Sequence, residues 1–444
     1  MNVKTALKTG FAAILAAVAV AVLAPPPPPV QHWPNREKVV FWHMWTGEWQ
    51  PVVEGIAKRF NESQDQYEVV PLSIPADGAE TKFMLSASGG ATPDLVSQWN
   101  PILGTWTDRG LIRPIEEIMS PAERTSYLRE AYPIMREHAT YRDRVTAMIA
   151  GIDVYALYYR LDHLREVGRD ANSLPKTLEE LEALGRQLDK RNGDGRLTRI
   201  GYLPQSWKSY VPSFGGGFGT GDRMTFDTPP NLRAVEFITG VQEKLGFDSI
   251  RRFLASQAAD TGATAPLIAG NYSIMLDGQW RVKQTAQYGP EVDYIVAPLP
   301  APKGGLPNAS TTDANYMVVP RAAKNPKGAW AFLKYWLGVD DPEAGGRNTA
   351  DMGWLPYCDR VARSKAYQEY LEKFPRFRPF VDLVSSPNLS RFPAGPLQSY
   401  AVGEVTKADE ATSRGTLTPA AALRGIDDAV AAEKARQRRL GNVR

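Results

Sequence analysis

The sequence predicts an α/β fold divided between two lobes, and three observations carry that prediction. At 444 residues the chain is too long for one hydrophobic core, because single cores stop growing at about 250 to 300 residues. From Val39 onward, short apolar strands alternate with longer helical patterns, the signature of parallel sheets covered by helices. Apolar residues make up 43% and charged residues 23%, which argues for a folded, water-soluble body and against disorder or a polytopic membrane protein.

The first element is an address. Lys4 and Lys8 precede an apolar run over residues 11–24, and Ala19-Val20-Ala21 offers a small-x-small cleavage site, as in a secretory signal. The run has 14 residues, short of the roughly 20 that span a bilayer as a helix. Residues 1–24 are therefore expected to form a signal peptide or an uncleaved anchor, with the body exported to the periplasm or the outer face of the cytoplasmic membrane. The prolines at 25–29 open a stiff spacer over residues 25–36.

Val39-Val40-Phe41-Trp42 is the first strand, and Trp49, Val52, Val53, Ile56 and Phe60 then recur at helical spacing, with Pro51 tolerated in the first turn. The connecting loop puts His43, Trp45, Thr46 and Glu48 outside the carboxyl end of a strand, where ligands bind in open α/β sheets. Residues 69–74 and 95–98 read as further strands, the second followed at once by Trp99-Asn100-Pro101. Residues 154–159 open a new region, and Thr177 with Glu180 predicts a capping box before Leu181, Leu184 and Leu188. Strands at 272–276 and 292–296 continue it, with a tight turn predicted at Asp277-Gly278-Gln279-Trp280. A strand at 316–319 and a helix around Trp330, Phe332, Leu333, Trp336 and Leu337 return to the first lobe. The expected division is 37–150 with 307–345 for the amino-terminal lobe and 151–306 with 346–444 for the carboxyl-terminal lobe.

Several function classes fall away. The net charge of +3 is small and no stripe of Lys and Arg is interleaved with aromatics, so nucleic acid is not an expected partner. Cys358 is the sole cysteine, which rules out an intramolecular disulfide and a thiolate zinc site. The four histidines, His32, His43, His138 and His163, have no helical ligand spacing, so neither metal nor cofactor is expected. The segment 190–195 resembles a calcium loop, but aligning Gly195 with the loop's glycine puts Lys190 at the first ligand place and Gly201 where the closing Glu belongs; a structural turn is favoured. No G-x-S-x-G occurs. The glycine cluster from Gly215 to Gly221 fits no phosphate loop, and Gly217 is taken as a backbone that approaches a ligand closely or as part of a flexible surface loop.

What remains is a set of carboxylates and rings. Glu48, Asp153, Asp277 and Asp313 lie near predicted strand ends, and two of them could flank a glycosidic bond, so a secreted glycoside hydrolase is one reading. The same carboxylates suit plain recognition, since each accepts hydrogen bonds from sugar hydroxyls while an aromatic ring covers the apolar face of a pyranose. A secreted adhesin is a third reading. Trp42, Trp106, Trp330 and Trp336 lie in apolar periodic runs and are expected in the core, whereas Trp45, Trp99, Trp207, Trp280 and Trp354 sit beside Gly, Pro, Asn or Gln and are the candidate ligand rings.

Phe41-Trp42-His43, Gly47, Arg59-Phe60-Asn61, Pro93-Asp94-Leu95-Val96, Ala156-Leu157-Tyr158-Tyr159-Arg160, Met275-Leu276-Asp277-Gly278 and Gly353-Trp354-Leu355-Pro356 stand in the order and spacing of a known family. Over most of its length the chain resembles the family 1 extracellular solute-binding proteins of ABC importers, of the maltose, multiple-sugar and glycerol-phosphate type. The usual family residue where Arg160 stands is Asn. The resemblance implies a two-lobed periplasmic-binding-protein type II fold with a hinge and an interlobe ligand cleft, a carbohydrate ligand, ABC permease subunits as membrane partner, a monomer, and no catalysis. It implies ligand contact at Asp153, Gly278 and Trp354, and near Arg391. With the residues read above, the full candidate set is His43, Trp45, Glu48, Trp99, Asn100, Asp153, Tyr155, Trp207, Gly217, Asp277, Gly278, Trp280, Asp313, Trp354 and Arg391.

Overall fold

A computed structural model describes residues 30–75, 78–90, 92–99, 101–220, 223–258 and 262–441. The expected signal segment 1–24 and the candidate Asn100 lie outside the described residues. Of the expected spacer, the part after residue 29 is tied down: the backbone amides of His32 and Trp33 donate to the Glu68 carboxylate at 2.6 and 2.8 Å. Contacts divide the described chain into two compact units, one built from residues up to Ser97 with Val319–Phe332, the other from Gln98–Val318 with the residues from Leu333 onward. These units are cut at different places from the expected lobes.

The first unit is organised on strand β1 (Glu37–His43), whose Val39 and Phe41 are fully buried. Helix α1 (Gln50–Ser63) starts with Pro51 in its first turn and buries Val53, Ile56, Ala57 and Phe60, the spacing of one helical face. It leads into β2 (Tyr67–Ser73), parallel to β1 with Val39 beside Val69 and Phe41 beside Pro71. Asn61 fixes the end of the helix to that strand, donating to the Val69 carbonyl at 2.9 Å and accepting from the Val69 amide at 2.8 Å. On the other side, β3 (Leu95–Gln98) pairs parallel with β1 through Phe41 and Leu95. Phe332 closes the core, edge-on to Phe41 and Phe60 at 5.7 and 5.3 Å.

In the second unit, β4 (Met148–Asp153) is followed, after the single residue Val154, by β5 (Tyr155–Arg160). Helix α2 (Leu178–Leu188) buries Leu178, Leu181, Leu184 and Leu188. Only half of the predicted capping box forms. Thr177 accepts from the Glu180 amide, but the Glu180 carboxylate takes the Lys176 amide at 2.8 Å instead of that of Thr177. Strand β6 (Leu197–Tyr202) runs parallel to β7 (Tyr272–Gly278), and β5 lies antiparallel to both β7 and β8 (Tyr294–Ala297). Asp277 and Gly278 belong to β7 and the helix α3 (Trp280–Tyr288) begins two residues later, so the predicted four-residue turn shrinks to Gln279. Strand β9 (Ser310–Pro320) is 11 residues long, far beyond the predicted 316–319, and its 313–317 stretch pairs antiparallel with β4. A short strand β10 (Leu389–Arg391) runs parallel to its start, and α4 (Gln398–Ser413) follows. The core gathers Leu157, Tyr159, Leu181, Trp207, Phe218, Phe226 and Phe392.

Candidate functional site

Backbone register assembles the candidate site. The β4–β9 pairing sets Asp153 directly opposite Asp313, and the β5–β7 pairing sets Tyr155 opposite Gly278. Residues from three distant segments of the chain are thereby brought to one place, because Val154 is the only residue between Asp153 and Tyr155.

Asp313 is the centre of the polar network. Lys208 Nζ lies 3.1 Å from each of its carboxylate oxygens, and the Tyr155 hydroxyl donates to Oδ2 at 3.0 Å. The lysine is delivered by a short 3-10 turn, Trp207–Ser209, whose Lys208 carbonyl accepts from the Thr311 hydroxyl at 2.8 Å. Asp153 is held by Gln279, which is fully buried. Gln279 Nε2 donates to the Ile152 carbonyl at 3.0 Å and to Asp153 Oδ1 at 3.3 Å, while its Oε1 accepts from the Val154 amide at 3.1 Å. Burial first, and the Asp313 charge second, push the Asp153 carboxyl up to about 7; Gln279 and Lys208 offset part of that shift.

The aromatic wall stands on Gly278. Trp280 meets Tyr155 edge to face, with centroids 6.0 Å apart and planes at 88°. A Cβ at Gly278 would lie 2.0 Å from Cζ3 of the Trp280 ring, so only glycine lets the ring lie there. The Tyr158 hydroxyl donates to the Gly278 carbonyl at 2.7 Å and fixes that backbone. Asp277 is buried and directed at its own neighbours: it accepts from the Gly278 amide at 2.8 Å and from Arg281 Nε at 2.6 Å. It shapes the strand end.

The remaining candidates take no part in these hydrogen bonds. In the first unit, His43 is buried and stacked on the buried Trp45, centroids 5.9 Å apart, and burial pulls its imidazole down to about 4, leaving it neutral. Glu48 is exposed, in a 3-10 turn (Gly47–Trp49) whose Gly47 has φ of 57°. In the second unit, Trp99 is 39% exposed. Trp207 is fully buried, edge-on to Phe218, and Trp354 is 5% exposed, so both rings sit in the hydrophobic interior. Trp354 packs so closely on β4 that a Cβ at Gly151 would lie 2.7 Å from its ring. The backbone of Gly217 is occupied, its amide and carbonyl both bonded to the Asn231 side chain at 3.0 and 2.8 Å. Arg391 pairs with Glu137 at 3.5 Å, beside a buried His138 that bonds the hydroxyls of Tyr316 and Thr312 at 2.9 and 2.8 Å. Trp42, Trp106, Trp330 and Trp336 are buried.

A cavity of about 430 Å³ elsewhere in the second unit is lined by Glu182, Arg186, Asp189, Arg191, Tyr202 and Lys244 and shares no residue with this cluster. Its charges answer one another: Arg186 and Lys244 both pair with Glu182, and Arg191 donates to the Gly195 and Leu245 carbonyls. It has little left to offer a ligand.

The model of the family described as bacterial extracellular solute-binding protein matches residues 55–375. The chain belongs to that family. Among relatives of this solute-binding protein are the maltotriose-binding protein of Pyrococcus abyssi, 23% identical over 336 residues that cover 73% of this chain and 67% of the relative, and the sn-glycerol-3-phosphate-binding periplasmic protein UgpB of Yersinia pseudotuberculosis, 22% identical over 87% of this chain and 90% of the relative. Among solved structures, CpMnBP1 with mannotriose bound superposes with a TM-score of 0.78 at 21% identity, over 89% of this chain and all of that one. The sugar-binding protein MalE of Xanthomonas citri gives 0.72 at 20% identity, over 91% and 98%. These likenesses establish the fold as the α/β fold of periplasmic binding proteins.

Lys208 and Gln279 are the site residues that sequence reasoning missed. Lys208 lies 105 positions from Asp313 and nothing local marks it; Gln279 sat in a predicted turn and showed no sign of being a buried clamp. Asp409 on α4 is a third. Its carboxylate reaches the Trp207 amide at 3.5 Å and supports the turn that carries Lys208.

Proposed function

We propose that this solute-binding protein is the exported receptor of an ABC importer. It takes a mono- or oligosaccharide at the cluster of Asp153, Tyr155, Asp313 and Trp280 and delivers it unreacted to the membrane permease from the periplasm or the outer face of the cytoplasmic membrane. The observation that carries the reading is the Tyr155 hydroxyl on Asp313 at 3.0 Å with the half-buried Trp280 ring edge-on beside it. Carboxylates with lone pairs to spare accept sugar hydroxyls, and an indole supplies the apolar surface that a pyranose face needs. The names of the maltotriose-binding relative and of the mannotriose-bound structure favour the same ligand class.

On this reading Asp277 and Gly278 shape the strand end that presents Trp280, the protein acts as a monomer, and the lobes expected from the sequence close over the ligand. Binding favours the closed form in proportion to its differential affinity for that form, and the permease reads the closed form. A thermal-shift screen over mono-, di- and trisaccharides tests the proposal: a saccharide that raises the melting temperature and is recovered intact supports it, and release of new reducing ends would overturn it.

A further inference from the structure

The relatives include proteins named for a neutral trisaccharide and for a phosphate ester, and the charge balance of the site separates those classes. The groups that face one another are Asp153 at the end of β4, Tyr155 at the start of β5, Asp313 on β9 and Lys208 on its 3-10 turn. Among these groups, one lysine therefore stands against two carboxyls. Arg391, on the strand next to β9, pairs with Glu137 at 3.5 Å, and Arg281 pairs with Asp277 at 2.6 Å, so each guanidinium has a carboxylate of its own.

We propose that the site selects solutes that bring hydroxyl or amine donors and no anionic group, so that neutral and amino sugars are admitted and phosphorylated or carboxylated ones are turned away. The selectivity rests on the carbohydrate-receptor reading and deepens it. Two residues paired directly across antiparallel strands have side chains about 5 Å apart, and like charges placed there are destabilising. A hydrogen-bond donor relieves that arrangement, as a proton on Asp153 does. A sugar hydroxyl pointed at Asp153 or Asp313 stabilises the ionised carboxylate, an ammonium group does so more strongly, and a phosphate adds repulsion in a setting with little water to screen it. Burial first, and the Asp313 charge second, push Asp153 up to about 7, in the direction expected where like charges are opposed.

The test is calorimetric titration of the full chain with matched solutes: glucose, maltotriose, mannobiose, glucosamine, glucose 1-phosphate, glucuronate and sn-glycerol 3-phosphate. Neutral or amino members are expected to bind at least tenfold more tightly than the anionic member of the same size. Asp153→Asn, which removes one opposed charge and keeps the shape, is expected to narrow that gap severalfold. Anionic solutes that bind as tightly as neutral ones overturn the selectivity and leave the receptor reading standing. A gap that Asp153→Asn does not change overturns the assignment of selectivity to this carboxylate pair. No heat from any sugar, neutral, amino or anionic, overturns the carbohydrate reading itself, and the selectivity with it.

Discussion

Asp153 and Asp313 are directly paired residues of two antiparallel strands, and the amide of Gln279 holds the first while Lys208 and Tyr155 hold the second. Two carboxylates in that position are a cost to the fold, carried at a place where a bound solute can relieve it.

The cost predicts a pH dependence with a definite sign. The folded-state pKa of Asp153 is raised to about 7 from 3.8, so the folded protein holds a proton there that the unfolded chain has lost. Its destabilising effect is absent below about pH 4, grows as the pH rises, and is complete above about pH 7. Asp153→Asn should therefore raise the melting temperature at pH 8 and leave it nearly unchanged at pH 4. Thermal denaturation of both proteins at the two pH values checks this, and an equal difference at both would contradict it.

Tyr155→Phe removes one hydroxyl and keeps the ring against Trp280. The lost hydrogen bond to Asp313 is of the charge-assisted kind, worth about 1.5 to 3 kcal/mol. Saccharide affinity measured by calorimetry should fall about tenfold or more, because the carboxylate loses the partner that orients it.

Gly278→Ala should weaken saccharide binding, because the new methyl would lie 2.0 Å from the Trp280 ring and must push it off the Tyr155 edge. Ala also fits the extended backbone of a strand, so the melting temperature should move less than the affinity. Calorimetry and thermal denaturation of the one variant separate the two effects.

Trp354→Ala is expected to act on stability. The ring packs on Gly151 and lies 6.5 Å from Trp336, and its backbone carbonyl accepts from Tyr367 at 2.9 Å. Truncating a buried tryptophan of this kind costs about 3 to 5 kcal/mol. Chemical denaturation of the variant should show that loss.

Much of the fold was legible in the sequence because apolar periodicity carries it. Residues 95–98 form the predicted strand, and the α1 face of Val53, Ile56 and Phe60 is the predicted one. The first half of β9 was hidden because Ser310, Thr311, Thr312, Asp313 and Asn315 carry no apolar pattern. They are buried or half-buried in a strand because their side chains find partners, Thr311 on the Lys208 carbonyl and Thr312 on that of Ser390. The tryptophans show the same limit from the other side. Trp207 and Trp354 stand beside turn residues in sequence, yet burial is decided by what comes from elsewhere in the chain: Phe218 for one, Gly151 for the other. Asp153, Asp313 and Trp280 could be named from their places near predicted strand ends, but their assembly depended on a register that no local pattern specifies.

The measurement that bears most directly on the central claim is calorimetric titration of wild type and Asp313→Asn with the saccharide that gives the largest thermal shift. If the solute sits on this cluster, affinity falls at least tenfold in the variant while the melting temperature stays within a few degrees of wild type. Equal affinities for the two proteins would place the ligand elsewhere and contradict the account.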